Sequence, residues 1–322
     1  MSLLRSTGVE FRRVESAREF GKVAVLLGGR SSEREVSLMS GKAVLEALLA
    51  RGVDAHAFDP AELPLASLLS ESFDRAWIAL HGPGGEDGAL QGALEWLGIP
   101  YTGSGVLGSA IGMDKLRTKQ LALANGIATP PYRVLRGADD CRVAAEELGL
   151  PLAVKPASQG SSVGMSKVEK AEDLPAAWRA ASALDPVVIA EPWISGRELT
   201  VPVLQSEALP AIRIETPRTF YDYQAKYFAD DTRYHIPCGL DQPAETALRH
   251  AALSAFRAAG AQGWGRVDFM MAEDGIPLLL EINTVPGMTG HSLVPMSARA
   301  VGIDFEELVW RVLETSFARE TA

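Results

Sequence analysis

Cysteine and basic residues are both scarce in this sequence, and their scarcity argues against several classes of protein. Cys141 and Cys238 lie far apart with neither CxxC nor Cys/His spacing, which indicates two buried thiols in a reducing compartment rather than a disulfide framework or a metal site. The chain has 31 Lys and Arg residues against 41 Asp and Glu residues, a net charge of −10, and no basic block. A general nucleic-acid or anionic-membrane surface is therefore not expected.

Long apolar runs are missing as well. None approaches the roughly 18 residues that a membrane-spanning helix needs. Residues 1–21 mix arginine with glutamate, unlike a signal or transit peptide, so we expect a frayed leader and a cytoplasmic protein. The remaining composition is that of a globular chain: 322 residues, 47% apolar and 22% charged, enough for two domains or three small lobes.

Strand and helix patterns alternate in the N-terminal part. The apolar run Lys22–Leu27 ends in Gly28-Gly29, as a buried parallel strand entering a tight turn does. Two strand patterns and a helix pattern follow at 53–58, 75–80 and 88–97. This alternation predicts a parallel α/β lobe.

A second lobe is predicted from about Ser104 and a third from Glu191. Within the third, the polar stretch Thr216–Gly239 is too long for a mere connection. It contains Tyr221, Tyr223, Lys226 and Tyr227. We expect this stretch to be a lid.

Two common nucleotide-binding motifs are absent or out of context. Gly103–Gly108 reads GxGxxG, but Pro100 interrupts the short strand before it, and no acidic residue follows at the distance that a ribose contact needs. The Gly-Lys pairs at 21–22 and 41–42 precede Val and Ala, so neither is a Walker A motif.

Three oxygen-bearing residues stand on two predicted hairpin strands. Asp268 lies in one strand, and Glu281 and Asn283 alternate in the next, which places the latter two on one strand face. Carboxylate and amide oxygens suit Mg²⁺. A solvated strand face is the alternative, but Glu281 follows three leucines, and a buried unpaired carboxylate would be costly.

Three loops are candidates for ligand binding. Lys155 ends an apolar strand before the Gly/Ser-rich turn to Gly164, which predicts either a phosphate cradle or a plain hairpin turn. Glu33 and His81 lie in loops that follow the carboxyl ends of two strands, where open α/β sheets bind ligands. Helix-start roles for Glu33, Glu35 and Asp87 remain the alternative.

Together these motifs resemble the D-alanine:D-alanine ligases of the ATP-grasp superfamily, from Lys22 to about Leu313. The matching segments are 27–37, 81–88, 101–105, 113–115, 155–164, 220–227, 263–268, 281–288 and 291–293. The resemblance implies a three-lobed ATP-grasp fold of class α/β, in which a Rossmann-like parallel α/β lobe is followed by two α+β lobes that clamp ATP. The predicted lobes are 1–103, 104–190 and 191–322, with the lid at 216–239.

The resemblance also implies the reaction. ATP phosphorylates the carboxylate of one D-alanine, and the amine of a second attacks the acyl phosphate, which releases ADP and phosphate and yields D-alanyl-D-alanine for peptidoglycan. Glu33, with Ser161 and Tyr227, would hold the first ammonium. Arg266 and the backbone N–H of Gly287 would stabilise the oxyanion. The expected substrate contacts are His81 beside the first D-alanine, and Lys226, Ser292 and Leu293.

The remaining implied roles concern the nucleotide, the metals and assembly. The ATP-binding residues would be Lys115, Lys155 and Lys226 for phosphates, Glu191, Trp193 and Ile194 for adenine, and Glu198 for ribose. Asp268, Glu281 and Asn283 would hold two Mg²⁺ ions, for which Mn²⁺ can substitute, with Glu281 bridging. The expected partners are ATP and D-alanine, with no nucleic acid and no membrane, in a homodimer formed through the first lobe.

The chain departs from the family pattern at three positions. Pro192 replaces a common lysine after Glu191, Gln159 replaces a glutamate, and Gly290 replaces a serine. Two rivals remain: a ligase that makes D-alanyl-D-lactate, which Lys226-Tyr227 argues against, and a nucleotide-binding regulatory module without catalysis, which the intact catalytic set argues against.

Overall fold

Three sheets organise the part of the chain that this computed structural model describes. The described residues are 4–5, 11–160, 162–205, 207–217 and 231–319. Within these ranges the sheets have three, four and seven strands. The first is parallel and the other two are antiparallel, which confirms the predicted mixture of lobes.

The first sheet lies in the N-terminal lobe. After β1 (Leu4–Arg5), the elements are β2 (Lys22–Leu26), α1 (Arg34–Ala50), β3 (Asp54–Phe58), α2 (Ser67–Ser70), β4 (Arg75–Ile78) and α3 (Ala89–Leu97). The strand order is β3-β2-β4. β2 is buried because Val23, Val25 and Leu26 are apolar and covered on both faces, as in parallel sheets generally. Gly98 ends α3 in the left-handed conformation, at φ +68°.

The second sheet follows two helices. The elements are α4 (Val106–Met113), α5 (Lys115–Ala124), β5 (Arg133–Leu135), α6 (Ala138–Leu148), β6 (Leu152–Pro156), β7 (Ser166–Val168), α7 (Leu174–Ser182) and β8 (Val188–Pro192). The strand order is β5-β8-β6-β7. Helices α6 and α7 pack with this sheet around a core that includes Cys141.

The third sheet carries the C-terminal lobe. Its region contains β9 (Arg197–Leu204), β10 (Glu207–Ala208), β11 (Ile212–Glu215), β12 (Arg233–His235), α8 (Gln242–Ala258), β13 (Trp264–Met271), β14 (Pro277–Asn283), α9 (Leu293–Arg299) and α10 (Phe305–Glu314). The path is β1-β10-β9-β11-β12, and β13 lies between β9 and β14. Cys238 is a buried free thiol, like Cys141.

Two segments pack across the predicted lobe boundaries. Helices α4 and α5 contact β14, and Ala122 belongs to the hydrophobic core of the third sheet. Helix α10 and the 3₁₀ turn after it complete the core of the first lobe. The boundaries at 103 and 190 remain predictions, and the lobes on either side share packed surfaces.

The expectation of a frayed leader is wrong for residues 14–20. Phe20 is fully buried and contacts Trp310 edge to face, with ring centroids 4.8 Å apart. The backbone N–H of Val14 donates to Glu314 Oε1 at 2.9 Å. This segment packs against the C-terminal helix because its apolar side chains fill a gap in the first lobe.

The lid prediction also needs correction at its end. Residues 233–235 form β12, which pairs with β11, and Cys238 is buried. Residues 233–235 therefore belong to the third sheet, and Cys238 belongs to the hydrophobic core beside it. Residues 218–230, which include Lys226 and Tyr227, lie outside the described residues.

Across the described ranges, no helix combines the length and apolar character needed to cross a bilayer.

We predict that Phe20→Ala lowers the free energy of unfolding by about 3 to 5 kcal/mol, because it opens a cavity in the first-lobe core. Urea unfolding followed by tryptophan fluorescence measures this change. Leu69→Ala is the control, because that side chain is 51% exposed, and it should cost less than about 1 kcal/mol. Equal stability losses in the two variants would show that residues 14–20 are not part of the core.

Candidate active site

A large cavity of about 440 Å³ lies between the second and third sheets. Its walls include four groups expected at the nucleotide, Lys115, Lys155, Glu191 and Glu198, together with Trp193 and Ile194. A smaller cavity adjoins it and is lined by Glu33, His81, Glu86, Arg266 and Asn283. Lys115 and Glu281 line both cavities, so the two spaces meet at these side chains.

The floor of both cavities is the hairpin of β13 and β14. The register pairs Asp268 with Glu281 and Arg266 with Asn283, and directly opposed residues in an antiparallel pair share a face. The four polar side chains therefore lie on one face, as predicted for the three oxygen-bearing residues. The next pair is shifted by a bulge between Asp268 and Phe269, after which the strands continue as an apolar core.

The charges on this face are paired. Arg266 donates from Nε and Nη2 to the two oxygens of Asp268 at 2.8 and 2.7 Å, and Thr200 donates to the same carboxylate at 2.6 Å. Lys115 Nζ lies 3.1 Å from Glu281 Oε2. Bidentate pairing fixes the plane of the guanidinium. Arg266 is thus held facing the small cavity.

The same face suits a divalent cation by its donor chemistry. Within the described ranges, no cluster of three or more His, Cys, Asp or Glu side chains is arranged as a metal site. The proposed set has two carboxylates and depends on the amide oxygen of Asn283, which also accepts from the Val285 N–H at 3.0 Å. Hard oxygen donors of this kind fit Mg²⁺ or Mn²⁺.

A buried ion-pair cluster forms the inner wall of the large cavity. Glu191 binds Lys155 through one carboxylate oxygen and Lys119 through the other, the latter at 2.7 Å. Lys119 is fully buried and also donates to Thr129 Oγ1 at 2.9 Å and to Pro130 O at 3.2 Å. Burial opposes ionisation of Glu191, but the two ammonium groups outweigh it and hold the pKa of its carboxyl below the ordinary value.

Lys119 was missed in the sequence analysis. Its position, one helical turn after Lys115 on α5, was a usable signal, since residues four apart share a helix face. Burial lowers the pKa of Lys119 to about 8, although Glu191 opposes the shift. Both members of the pair are therefore charged at neutral pH.

The structure brings six of the predicted nucleotide residues together around the large cavity: Lys115, Lys155, Glu191, Trp193, Ile194 and Glu198. One backbone donor of this set, the N–H of Trp193, is already used within the fold. Lys115 donates to the backbone oxygen of Gln159 at 2.7 Å, which ties it to the Gly/Ser-rich loop. The backbone N–H of Trp193 donates to Pro151 O at 2.9 Å, so this donor serves the fold rather than a bound base. Ser161 in the loop and Lys226 lie outside the described residues.

The small cavity is built around Glu33 at the start of α1. Glu33 is the N-cap residue of that helix and is 6% exposed, so the helix-start and ligand-site hypotheses both apply to it. A side chain at Gly160 would approach Glu33 Oε1 to 2.9 Å, which shows how closely the Gly/Ser-rich loop covers it. Asp87 is a helix-start carboxylate, because Ala89 N donates to it at 3.0 Å.

His81 is buried and bonded at both ring nitrogens. Nδ1 lies 2.9 Å from Val285 O, and Nε2 lies 3.2 Å from Ser40 Oγ. Burial lowers the pKa of His81, against the opposing effect of Glu33. His81 therefore links the first lobe to the loop after β14 as a neutral ring.

Glu86 is a second residue that the sequence analysis missed. It is buried in the small cavity, and Gly82 N donates to its Oε1 at 2.8 Å. Burial and the nearby Glu33 raise the pKa of Glu86 to about 8. Its place in the His81–Gly88 segment, beside the singled-out His81, was the available signal.

Two of the predicted contacts for the second substrate, Ser292 and Leu293, line neither of the two cavities. Ser292 Oγ accepts from Thr289 N at 2.8 Å and begins α9. The Leu293 side chain packs with Ile212 and Ile214 in a small core. Gly287 is buried in the loop that His81 contacts. Tyr227 lies outside the described residues.

The chain is similar to known proteins over most of its length. Two family models match: "D-ala D-ala ligase C-terminus" over residues 121–314 and "D-ala D-ala ligase N-terminus" over residues 64–104. A D-alanine–D-alanine ligase of Alkalilimnicola ehrlichii is 60% identical over 306 residues, covering 95% of this chain and 98% of that protein. The ligase of Stutzerimonas stutzeri is 58% identical over 299 residues, covering 93% of this chain and 95% of that protein.

Solved structures agree. The D-alanine–D-alanine ligase of Bacillus anthracis complexed with ATP is 33% identical and superposes with a TM-score of 0.80, covering 94% of this chain and 99% of that one. A D-Ala:D-Ser ligase from Enterococcus faecalis is 29% identical with a TM-score of 0.80, covering 92% of this chain and 99% of that one.

We predict that Lys119→Met lowers the free energy of unfolding by about 3 kcal/mol, because it leaves the buried Glu191 with one counter-ion. Chemical denaturation at pH 7 measures the change. Lys42→Met is a matched control, since Lys42 is 77% exposed and its pair with Glu46 is at the surface. A Lys119→Met variant as stable as the control would contradict the buried pairing.

We also predict a pH dependence from Glu86. Its folded pKa of about 8 lies above the ordinary 4.5, so the native state binds the extra proton between these values. The stability contribution of this group is complete below pH 4.5 and is lost as the pH rises toward 8. Glu86→Gln keeps an oxygen that accepts from Gly82 N, but its side chain does not titrate. Thermal unfolding should therefore show a smaller loss of stability between pH 4.5 and pH 8 in this variant than in the wild type. Parallel pH profiles would show that Glu86 titrates normally.

Proposed function

Because this chain belongs to the D-alanine–D-alanine ligase family, we propose that it joins two D-alanine molecules to D-alanyl-D-alanine, a precursor of peptidoglycan. ATP activates the first carboxylate as an acyl phosphate, and ADP and phosphate leave. One observation carries the proposal: a small cavity holding Glu33 and Arg266 meets the larger lysine-lined cavity at Lys115 and Glu281. A small amino acid and a nucleotide would thus meet at one point.

The amino-acid side of the reaction is assigned to the small cavity. Glu33 would accept the ammonium of the first D-alanine, assisted by Ser161 and Tyr227. Arg266, fixed by Asp268, would face the oxygen that becomes negative when the second amine attacks, together with the N–H of Gly287. Lys226, Ser292 and Leu293 would contact the second substrate.

The nucleotide side is assigned to the large cavity. Lys115, Lys155 and Lys226 would neutralise phosphates, and Glu198 would accept from the ribose. Lys155 forms an ion pair with Glu191. To bind a phosphate, the Lys155 ammonium group would either contact both anions or leave Glu191. Glu191, Ile194 and the Trp193 wall would surround adenine. Pro192 removes a side-chain contact to the base and leaves backbone contacts available.

The metal is assigned to Asp268, Glu281 and Asn283. We propose that these three side chains would hold two Mg²⁺ ions, or Mn²⁺. Bound ions would offset the repulsion between the triphosphate and the substrate carboxylate. The chain's own part is to hold the oxygens on one strand face, with Arg266 and Lys115 as neighbouring cations.

We further propose a cytoplasmic homodimer formed through the first lobe. Trp96 on α3 is 91% exposed, which is unusual for so large an apolar side chain, and a partner surface would cover it. Trp96→Asp should shift the sedimentation coefficient to that of a monomer. An unchanged coefficient would place the interface elsewhere.

The deciding assay measures phosphate release from MgATP with D-alanine, L-alanine, D-alanine plus D-lactate, and D-alanine plus D-serine, with chromatography of the products. We expect release with D-alanine alone and D-alanyl-D-alanine as the main product. If a depsipeptide or D-alanyl-D-serine is the main product, the second substrate is D-lactate or D-serine instead of D-alanine. No release with D-alanine would overturn the proposed reaction.

We predict that Arg266→Ala reduces kcat by about 10² to 10³-fold, because it removes an oxyanion donor. ATP affinity, measured by calorimetry, should change less than threefold. This result distinguishes an enzyme from a regulatory module, which has no turnover to lose. Full turnover in Arg266→Ala would refute the oxyanion role.

A further inference from the structure

Ser40 lies inside α1, is fully buried, and has no substrate role assigned to it above. Its hydroxyl has two partners from different parts of the chain. One is His81 Nε2 at 3.2 Å, and the other is the backbone N–H of Met288 at 3.1 Å. Ser40 therefore joins the first lobe to the loop that follows β14.

The hydrogen bonds of this group follow from the donors available. Val285 O is an acceptor, so His81 Nδ1 carries the proton that is donated to it. The Nε2 atom of a neutral ring then accepts, and the Ser40 hydroxyl donates to it. The same oxygen accepts from Met288 N–H. In this series of three hydrogen bonds, from Val285 through His81 and Ser40 to Met288, each donor therefore meets an acceptor.

The packing of α1 makes this reach possible. Gly41, the next residue, faces Leu27, and a Cβ at position 41 would lie 2.4 Å from the Leu27 Cβ. The helix thus approaches the sheet too closely for any residue but glycine. At that separation the short side chain of Ser40 reaches both His81 and the loop.

The loop spanned by these contacts contains Gly287. Val285 precedes Gly287 and Met288 follows it. The carbonyl oxygen of Val285 is hydrogen-bonded to His81, and the N–H of Met288 donates to Ser40. The Met288 side chain is buried in the first-lobe core, which fixes the far end. The Gly287 N–H belongs to the Pro286–Gly287 peptide, and the peptides on both sides of it are held by these two bonds. The position of that N–H is therefore constrained from the first lobe.

We propose that Ser40 is a positioning residue for the ligation reaction: through His81 and the Met288 N–H it holds the peptides on both sides of the Gly287 N–H and so directs that N–H toward the oxyanion. This inference rests on the proposed function, in which that N–H is an oxyanion donor. Ser40 itself touches no substrate. Its effect should appear in kcat and not in nucleotide affinity.

The test compares Ser40→Ala with wild type. Loss of the hydroxyl leaves the Met288 N–H and His81 Nε2 without their partner, so the loop can turn. We expect kcat at saturating substrates to fall about 10- to 100-fold, the scale of a misplaced catalytic group. The dissociation constant for ATP should stay within twofold in calorimetry. Ser40→Cys, with a weaker donor of similar size, should restore part of the rate.

A spectroscopic signal reports on the same contact without turnover. The chain has five histidines, so ¹⁵N-labelled imidazole signals are few, and His81 is assigned by its absence in His81→Gln. In the wild type we expect His81 as the Nδ1–H tautomer. In Ser40→Ala the Nε2 resonance should shift, because it loses a hydrogen-bond donor.

Ser316→Ala is the matched control for losing a buried serine hydroxyl. Ser316 is fully buried, donates to Leu313 O at 2.7 Å and accepts from Arg75 Nη1 at 3.0 Å. It lies away from both cavities. This variant should lose stability comparably and keep kcat within twofold.

Three results would overturn the proposal. The first is a kcat for Ser40→Ala within twofold of wild type, and the second is a loss of kcat matched by Ser316→Ala at equal stability. The third is an unchanged His81 resonance in Ser40→Ala, which would show that the contact does not exist. If wild-type protein forms no D-alanyl-D-alanine, the proposed function fails by itself, and the resonance still tests the Ser40–His81 contact.

Discussion

The antiparallel register of β13 and β14 is the constraint on which the rest of the site depends. It sets Asp268 opposite Glu281 and Arg266 opposite Asn283, so two carboxylates, a guanidinium and an amide share one face. A slip by one residue would turn these groups into the apolar core and bring Val267 and Ile282 to the cavity. Thr200 on β9 supports the register by bonding Asp268 from the neighbouring strand.

Two clusters of buried charge in the described part of the chain are compensated by their own members. Lys119, Lys155 and Glu191 form one cluster, while Arg266, Asp268 and Thr200 form another. Glu86 is the contrasting case, since burial beside Glu33 favours its neutral form. These arrangements orient the side chains before any ligand arrives, which reduces the reorganisation that binding would require.

Much of this arrangement could be predicted from the sequence. Period-two spacing placed Glu281 and Asn283 on one face, and the run ending in Gly28-Gly29 indicated the first parallel strand. Long-range partners could not be predicted, because pairings such as Glu191 with Lys119, or Ser40 with Met288, depend on how separate elements pack. The buried segment around Phe20 was missed because its mixed charges resemble a solvated leader, whereas a few apolar side chains hold it.

The Lys119–Glu191–Lys155 cluster has a consequence for molecules that compete for the large cavity. Two ammonium groups and one carboxylate leave a single excess positive charge on that wall, and one of the cations is sealed from the ligand. An anionic competitor must therefore draw Lys155 from an existing partner. A neutral heterocycle that leaves the cluster intact avoids this exchange, so shape and backbone hydrogen bonding would determine its selectivity more than charge.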